Sequence, residues 1–170
     1  RNVNLEQEVS NDIALILING LEDSLTADEW QNLENFIKSG GNIMLAQNRI
    51  KTDLATQQAN PINSDIFTLL DSYGIHIEPN LVLDRNCGKV NVQQNLGFLR
   101  IPIPMDYPFL PIIKDDGFNS DVVMVNGLEA LRLMFPSELV IDDSAFLAAN
   151  INIIPLFTSS NQSTIMEEFF

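Results

Sequence analysis

The sequence predicts an α/β domain in which a mostly parallel sheet with helices on its faces gives way to an irregular, antiparallel C-terminal half. Three observations carry this. Ile13-Ala14-Leu15-Ile16-Leu17-Ile18 is a continuous apolar run of strand length, the pattern of a parallel strand covered on both faces. An amphipathic helix and a second apolar strand follow before Gln47, completing a strand–helix–strand unit. Beyond Asp84 the texture changes to prolines and short strand-like segments, which suit edges and meanders.

Asn19-Gly20 closes the first strand. Thr26-Ala27-Asp28-Glu29 has capping-box spacing, in which the threonine hydroxyl takes a backbone N–H and Glu29 reaches back. Trp30, Leu33, Phe36 and Ile37 then recur on one helical face, Lys38 complements the helix dipole, and Ser39-Gly40-Gly41 ends the helix. Asn42 to Gln47 supplies the second strand. Asn48 to Asn60 is polar and irregular, and reads as a long loop. A second helix starts at Asn63 or Ser64, buries Ile66, Phe67, Leu69 and Leu70, and stops at Gly74. Ile75–Ile77 and Leu81–Leu83 are short strands on either side of Pro79-Asn80.

Residues 84–113 form an excursion. Asp84 to Asn95 has no period, and Leu99 to Ile113 carries Pro102, Pro104, Pro108 and Pro111, so that stretch is expected as an edge strand or an extended loop. Val122–Val125, Ala130–Phe135 and Leu139–Ile141 read as further strands, antiparallel and meandering. Asn152–Phe157 reads as a last strand running into Thr158-Ser159-Ser160-Asn161.

At 170 residues and 45% hydrophobic composition, the chain has the size of a single domain, 1–170, with enough apolar side chains for a core without metals or disulfides. Its formal net charge of −14 repels phosphate backbones and anionic membrane faces, which argues against nucleic acid as a partner. No apolar run approaches the ~20 residues that span a bilayer. The sequence opens at Arg1 and stops at Phe170 as an excised fragment of a longer, membrane-associated protein would, so any membrane segment is expected outside it.

Few residues carry chemistry. His76 is the single histidine and alternates with apolar Ile75 and Ile77, which points to an exposed structural role. Cys87, the single cysteine, follows a strand beside Arg85, a neighbour able to lower a thiol pKa, but no histidine is positioned as its base. A small residue in a turn is the simpler reading. Asp115-Asp116 and Asp142-Asp143 lack the order of a calcium loop, and no glycine pattern fits a nucleotide. The expectation is no catalytic residue, no metal and no cofactor. What remains is the apolar stretch Phe98 to Pro111, whose Tyr107 and Phe109 either lid the sheet or face a partner. Asp84, Arg85 and Asn86 are the polar candidates for a crevice at the same end of the sheet.

With these residues in view, the sequence resembles the auxiliary extracytoplasmic component of bacterial ABC-type transport systems, the group that includes the gliding-motility protein GldG. The resemblance rests on Ile13 to Gly20 with Leu25 to Glu29, Phe36 to Leu45, Leu69 to Gly74, Pro79-Asn80-Leu81-Val82-Leu83-Asp84, Asn91 to Gln94, the Pro-rich Ile101 to Ile112, and Leu156 to Ser160. It implies a Rossmann-like or flavodoxin-like sheet of the glutamine-amidotransferase type without that enzyme's cysteine and histidine. Where the nucleophile would stand, this chain has Asn48-Arg49-Ile50. The resemblance also implies a permease and an ATPase as partners, a position on the periplasmic side of the inner membrane, and Val3–Leu5 as a remnant edge strand. The function expected is therefore partner docking or substrate handling without catalysis. A small-molecule or glycan receptor is the alternative, and a hydrolase built on Cys87 a distant third.

Overall fold

A computed structural model describes residues 2–10, 12–54, 56, 58–97, 99–142 and 151–167. The expected first unit is present. β1 (Leu15–Asn19) leads through α1 (Ala27–Lys38) to β2 (Asn42–Ala46), and β1 and β2 pair in parallel from Leu15 opposite Asn42 to Asn19 opposite Ala46. Glu29 N–H donates to Thr26 Oγ1 and Thr26 N–H donates to Glu29 Oε2, closing the capping box. At the other end, Gly41 N–H donates to Phe36 O and Gly40 N–H to Ile37 O, a Schellman ending that requires the left-handed φ of 90° at Gly40.

The mostly parallel, Rossmann-like or flavodoxin-like sheet is not there. β1–β2 is the one parallel pair among the described residues, and the other strands form small antiparallel sheets. Connection length explains much of this. A parallel neighbour needs a crossover of a dozen or more residues, whereas β3 (Ile50–Asp53) and β4 (Gln58–Pro61) are joined by four residues and fold back as a hairpin. The apolar run of β1 also misled. Ile16 is buried, but Leu15 and Leu17 are 51% and 61% exposed, so only one face of this pair is covered.

α2 (Ile66–Ser72) buries Ile66, Phe67 and Leu69, and Gly74 follows with a φ of 71°. β5 (Ile75–Ile77) comes next, then β6 (Leu81–Asp84). β7 (Cys87–Leu96) and β8 (Leu99–Lys114) make a long hairpin; β9 (Ala130–Arg132) joins β8 at Ile112–Lys114, after a 3₁₀ turn at Asp115–Gly117. β10 (Leu139–Ile141) pairs with β5, and β11 (Ser163–Met166) with β6.

Several expectations change accordingly. The loop expected over Asn48 to Asn60 contains the β3–β4 hairpin, and the aperiodic Asp84 to Asn95 is largely β7. Val122–Val125 is turn, with Val125 and Asn126 N–H both donating to Val122 O. Asn152–Phe157 gives only an isolated bridge between Phe157 and Phe118; the last strand is Ser163–Met166, which the sequence reading missed. Val3–Leu5 is not a strand: Val3 and Leu5 pack on the core, and Leu5 O accepts from Asn32 Nδ2 of α1. Phe98 and Asp143, both part of the sequence reading, lie outside the described residues.

The core has two parts. Ile16, Leu33, Phe36, Ile62, Ile66, Phe67, Leu69 and Ile77 form the first, between β1, α1, α2 and β5. Ile50, Leu81 and Phe135 centre the second, with Tyr107, Phe109, Leu110 and Met166 against them. Asn48-Arg49 tie them together. Arg49 Nη1 donates to Ile77 O at 2.7 Å while its guanidinium lies 4.7 Å from the Phe67 ring centroid, and Arg49 N–H donates to Ser137 Oγ. Asn48 Nδ2 donates to Met134 O at 3.2 Å.

Candidate functional site

The β3–β4 hairpin, β6, β8 and β11 enclose a cleft of about 350 Å³ over the second core. Its floor is Leu81 and Phe135, its wall Tyr107, Phe109 and Met166, and its rim Thr52, Asp53, Leu54 and Gln58. The three aromatic rings form one group. Tyr107 and Phe109 centroids are 5.2 Å apart and tilted by 47°, and Phe135 sits 6.2 Å from each, edge-on to Tyr107 at 79°.

β8 holds the two sequence candidates in place through an irregularity. Between Cys87 opposite Pro111 and Gly88 opposite Tyr107 the register shifts, so Pro108, Phe109 and Leu110 leave β7. Their backbone turns to the chain after β9: Phe135 N–H donates to Phe109 O and Leu133 N–H to Pro111 O. Phe135 has a φ of 51°, in the left-handed region that costs a bulky residue roughly 1–2 kcal/mol. Packing against Tyr107 and Phe109 offsets that strain. Nothing in the local sequence signals the left-handed Phe135, and it, like Leu54, Gln58, Leu81 and Met166, is a cleft residue that sequence reasoning missed.

Tyr107 and Phe109 are thus half-buried: they help form the second core and also line an open cleft. Asp84, Arg85 and Asn86 stand elsewhere, at the corner between β6 and β7, and none of the three lines the cleft. Asp84 is 1% exposed, and its carboxylate accepts from Ser160 N–H at 2.8 Å, Ser160 Oγ at 2.7 Å and Asn86 N–H at 2.8 Å. Those bonds weld the Leu-Phe-Thr-Ser-Ser segment to the Pro-Asn-Leu-Val-Leu-Asp segment and leave the carboxylate no open face for a ligand. Arg85 is exposed, and Asn86 O accepts from Ile112 N–H.

His76 Nδ1 lies 2.7 Å from Asp71 Oδ1, and its strand β5 pairs with β10. Cys87 is half-buried in β7 opposite Pro111, in a different sheet. Beside the cleft rim, the Glu22 carboxylate raises the Lys51 pKa, first through its hydrogen bond and then through its charge. Among the described residues no group of three or more His, Cys, Asp or Glu side chains is arranged to hold a metal ion, and no helix is long and apolar enough to cross a membrane.

A family model described as an ABC-type uncharacterized transport system matches residues 1–170. An uncharacterized protein of Borreliella burgdorferi is 25% identical over 165 residues, covering 95% of this chain and 30% of the relative. The chain therefore spans about 30% of the length of that curated relative. Among solved structures, the mmIFT52 N-terminal domain is similar over 77% of this chain and 52% of its own, with 17% identity and a TM-score of 0.47.

Proposed function

Because the chain belongs to the family of auxiliary components of an ABC-type transport system, we propose that it is a non-catalytic docking domain of such a system. It works on the extracytoplasmic side, beside the permease and ATPase subunits, and its cleft takes apolar side chains of a partner. The observation that carries this reading is the cleft itself. Tyr107 and Phe109, packed on the buried Phe135, stay half open to solvent in a cleft that the exposed Leu54, 64% accessible, also lines, where a closed core would be expected. Aromatic anchors inside a mostly polar rim, here Thr52, Asp53 and Gln58 beside Leu54, are the usual make-up of a docking hot spot. Service in a gliding-motility system is the narrower form of the same proposal.

A photo-crosslinking amino acid at Leu54, in the full-length protein in its native membrane, tests it. With a second crosslinker placed at the rim residue Gln58, crosslinks to a transport-system subunit are expected from both positions, and Leu54→Glu should lose both the Gln58 crosslink and transport. Unchanged complex assembly and transport in that variant would sink the reading. A small-molecule or glycan receptor is a second reading, favoured by the cleft volume, which lies in the range of ligand pockets. Thermal shift against a saccharide and small-molecule panel separates the two, since only a receptor gains stability from the panel.

A further inference from the structure

Independently of the cleft, the β7–β8 hairpin has one guarded and one open edge. In an antiparallel ladder, alternate residues turn their N–H and C=O away from the partner strand. Pro104 lies opposite Asn91 and Pro102 opposite Gln93. Proline has no N–H to give, so these pairs are the non-hydrogen-bonded ones. On β8 the outward positions are then Arg100, Pro102, Pro104 and Asp106, half of them without a donor, which blunts that edge. On β7 the outward positions are Lys89, Asn91, Gln93 and Asn95, each with an N–H and a C=O. Among the described residues no strand pairs with this edge.

We propose that the outer edge of β7 pairs antiparallel with the β7 edge of a second copy of this chain, centred on Val92. That register sets Asn91 opposite Gln93 of the second copy and Lys89 opposite Asn95, so each outward residue exchanges N–H and C=O with another. Charge permits a like copy on this edge. The chain carries −14, yet residues 85–105 contain no Asp or Glu, and Lys89 is already paired with Asp106 of β8 at 3.5 Å. The same edge faces itself, so no carboxylate meets a carboxylate along β7, and the two Lys89 ammonium groups, each beside its own Asp106, fall at opposite ends of the ladder. The pairing also brings Val92 of the two copies together, joining the exposed apolar faces of Val92, Ile101, Ile103 and Met105. It is isologous, so it closes at two copies.

Sedimentation and amide hydrogen exchange on the 170-residue chain test this. We expect a concentration-dependent dimer in which the amides of Lys89, Asn91, Gln93 and Asn95 exchange about tenfold more slowly than at high dilution, while Val90 and Val92 change little. Asn91→Pro with Gln93→Pro removes outward donors without touching a bond to β8, and should leave a monomer with an intact hairpin. Asn91→Glu with Gln93→Glu keeps every donor but sets carboxylates face to face, giving a monomer at low salt that recovers the dimer at high salt. A chain that stays monomeric at all concentrations overturns the proposal. So does a dimer that survives both double variants, or one whose outward β7 amides exchange as fast as in the monomer.

Discussion

Asp84 shows how a polar side chain in this molecule acts as a structural joint. Its carboxylate satisfies Ser160 N–H, Ser160 Oγ and Asn86 N–H inside the protein. Asp84→Ala leaves these donors without an acceptor, and should lower unfolding stability by about 2–4 kcal/mol, read from urea midpoints with an unchanged slope. A loss under half a kcal/mol would show that water substitutes freely there. Glu29 offers a pH test at the same scale. The Thr26 backbone N–H, and then its hydroxyl, hold the Glu29 carboxyl below its ordinary value. A carboxylate depressed on folding stabilises the fold above its unfolded pKa, and that contribution disappears as pH falls through the folded pKa. Glu29→Gln should therefore flatten the acid limb of the stability profile just below the ordinary carboxylate range. Identical acid limbs in variant and parent would refute it.

Among the elements, α1 is specified at both ends by its own sequence, and its C-terminal glycines do different jobs. Gly40 supplies the left-handed φ, with open space where a Cβ would stand. Gly41 needs no unusual φ, but a Cβ there would lie 2.4 Å from the Phe36 ring. Gly41→Ala should thus displace Phe36, a 7% exposed core residue, and cost about 1–3 kcal/mol as an overpacking change. Gly40→Ala acts through backbone strain alone, at about 1 kcal/mol. Comparing their melting temperatures checks the assignment; equal shifts would show that the Phe36 ring moves aside without cost. β8 behaves differently, because its prolines are legible as edge residues while its bulge at Pro108–Leu110 depends on where Phe135 and Leu133 offer N–H groups.

At the scale of the whole molecule, Arg49 joins the two cores through its hydrogen bonds to Ile77 O and Ser137 Oγ and its contact with the Phe67 ring. Arg49→Met keeps most of the stem's volume but loses the bond to Ile77 O and the stacking on Phe67. It should cost about 1–3 kcal/mol, and should also uncouple the halves. Trp30, the single tryptophan, packs on the first core and reports it by fluorescence, while far-ultraviolet circular dichroism reports the whole chain. Coincident transitions are expected for the parent and separated ones for Arg49→Met; coincidence in both would place the coupling elsewhere. The sequence by itself determined the local part of this protein: the capping box, the helix face from Trp30 to Ile37, the glycine endings, α2, β5 and β6, and the family the chain belongs to. Each of these is fixed by residues close together along the chain. Only tertiary structure decided that the sheets are small and antiparallel, that Asp84 faces inward to Ser160, and that Tyr107 and Phe109 meet Phe135. Strand partners and side-chain neighbours far apart in sequence are chosen by which pairings bury the most apolar surface with every N–H satisfied, and no single segment carries that choice.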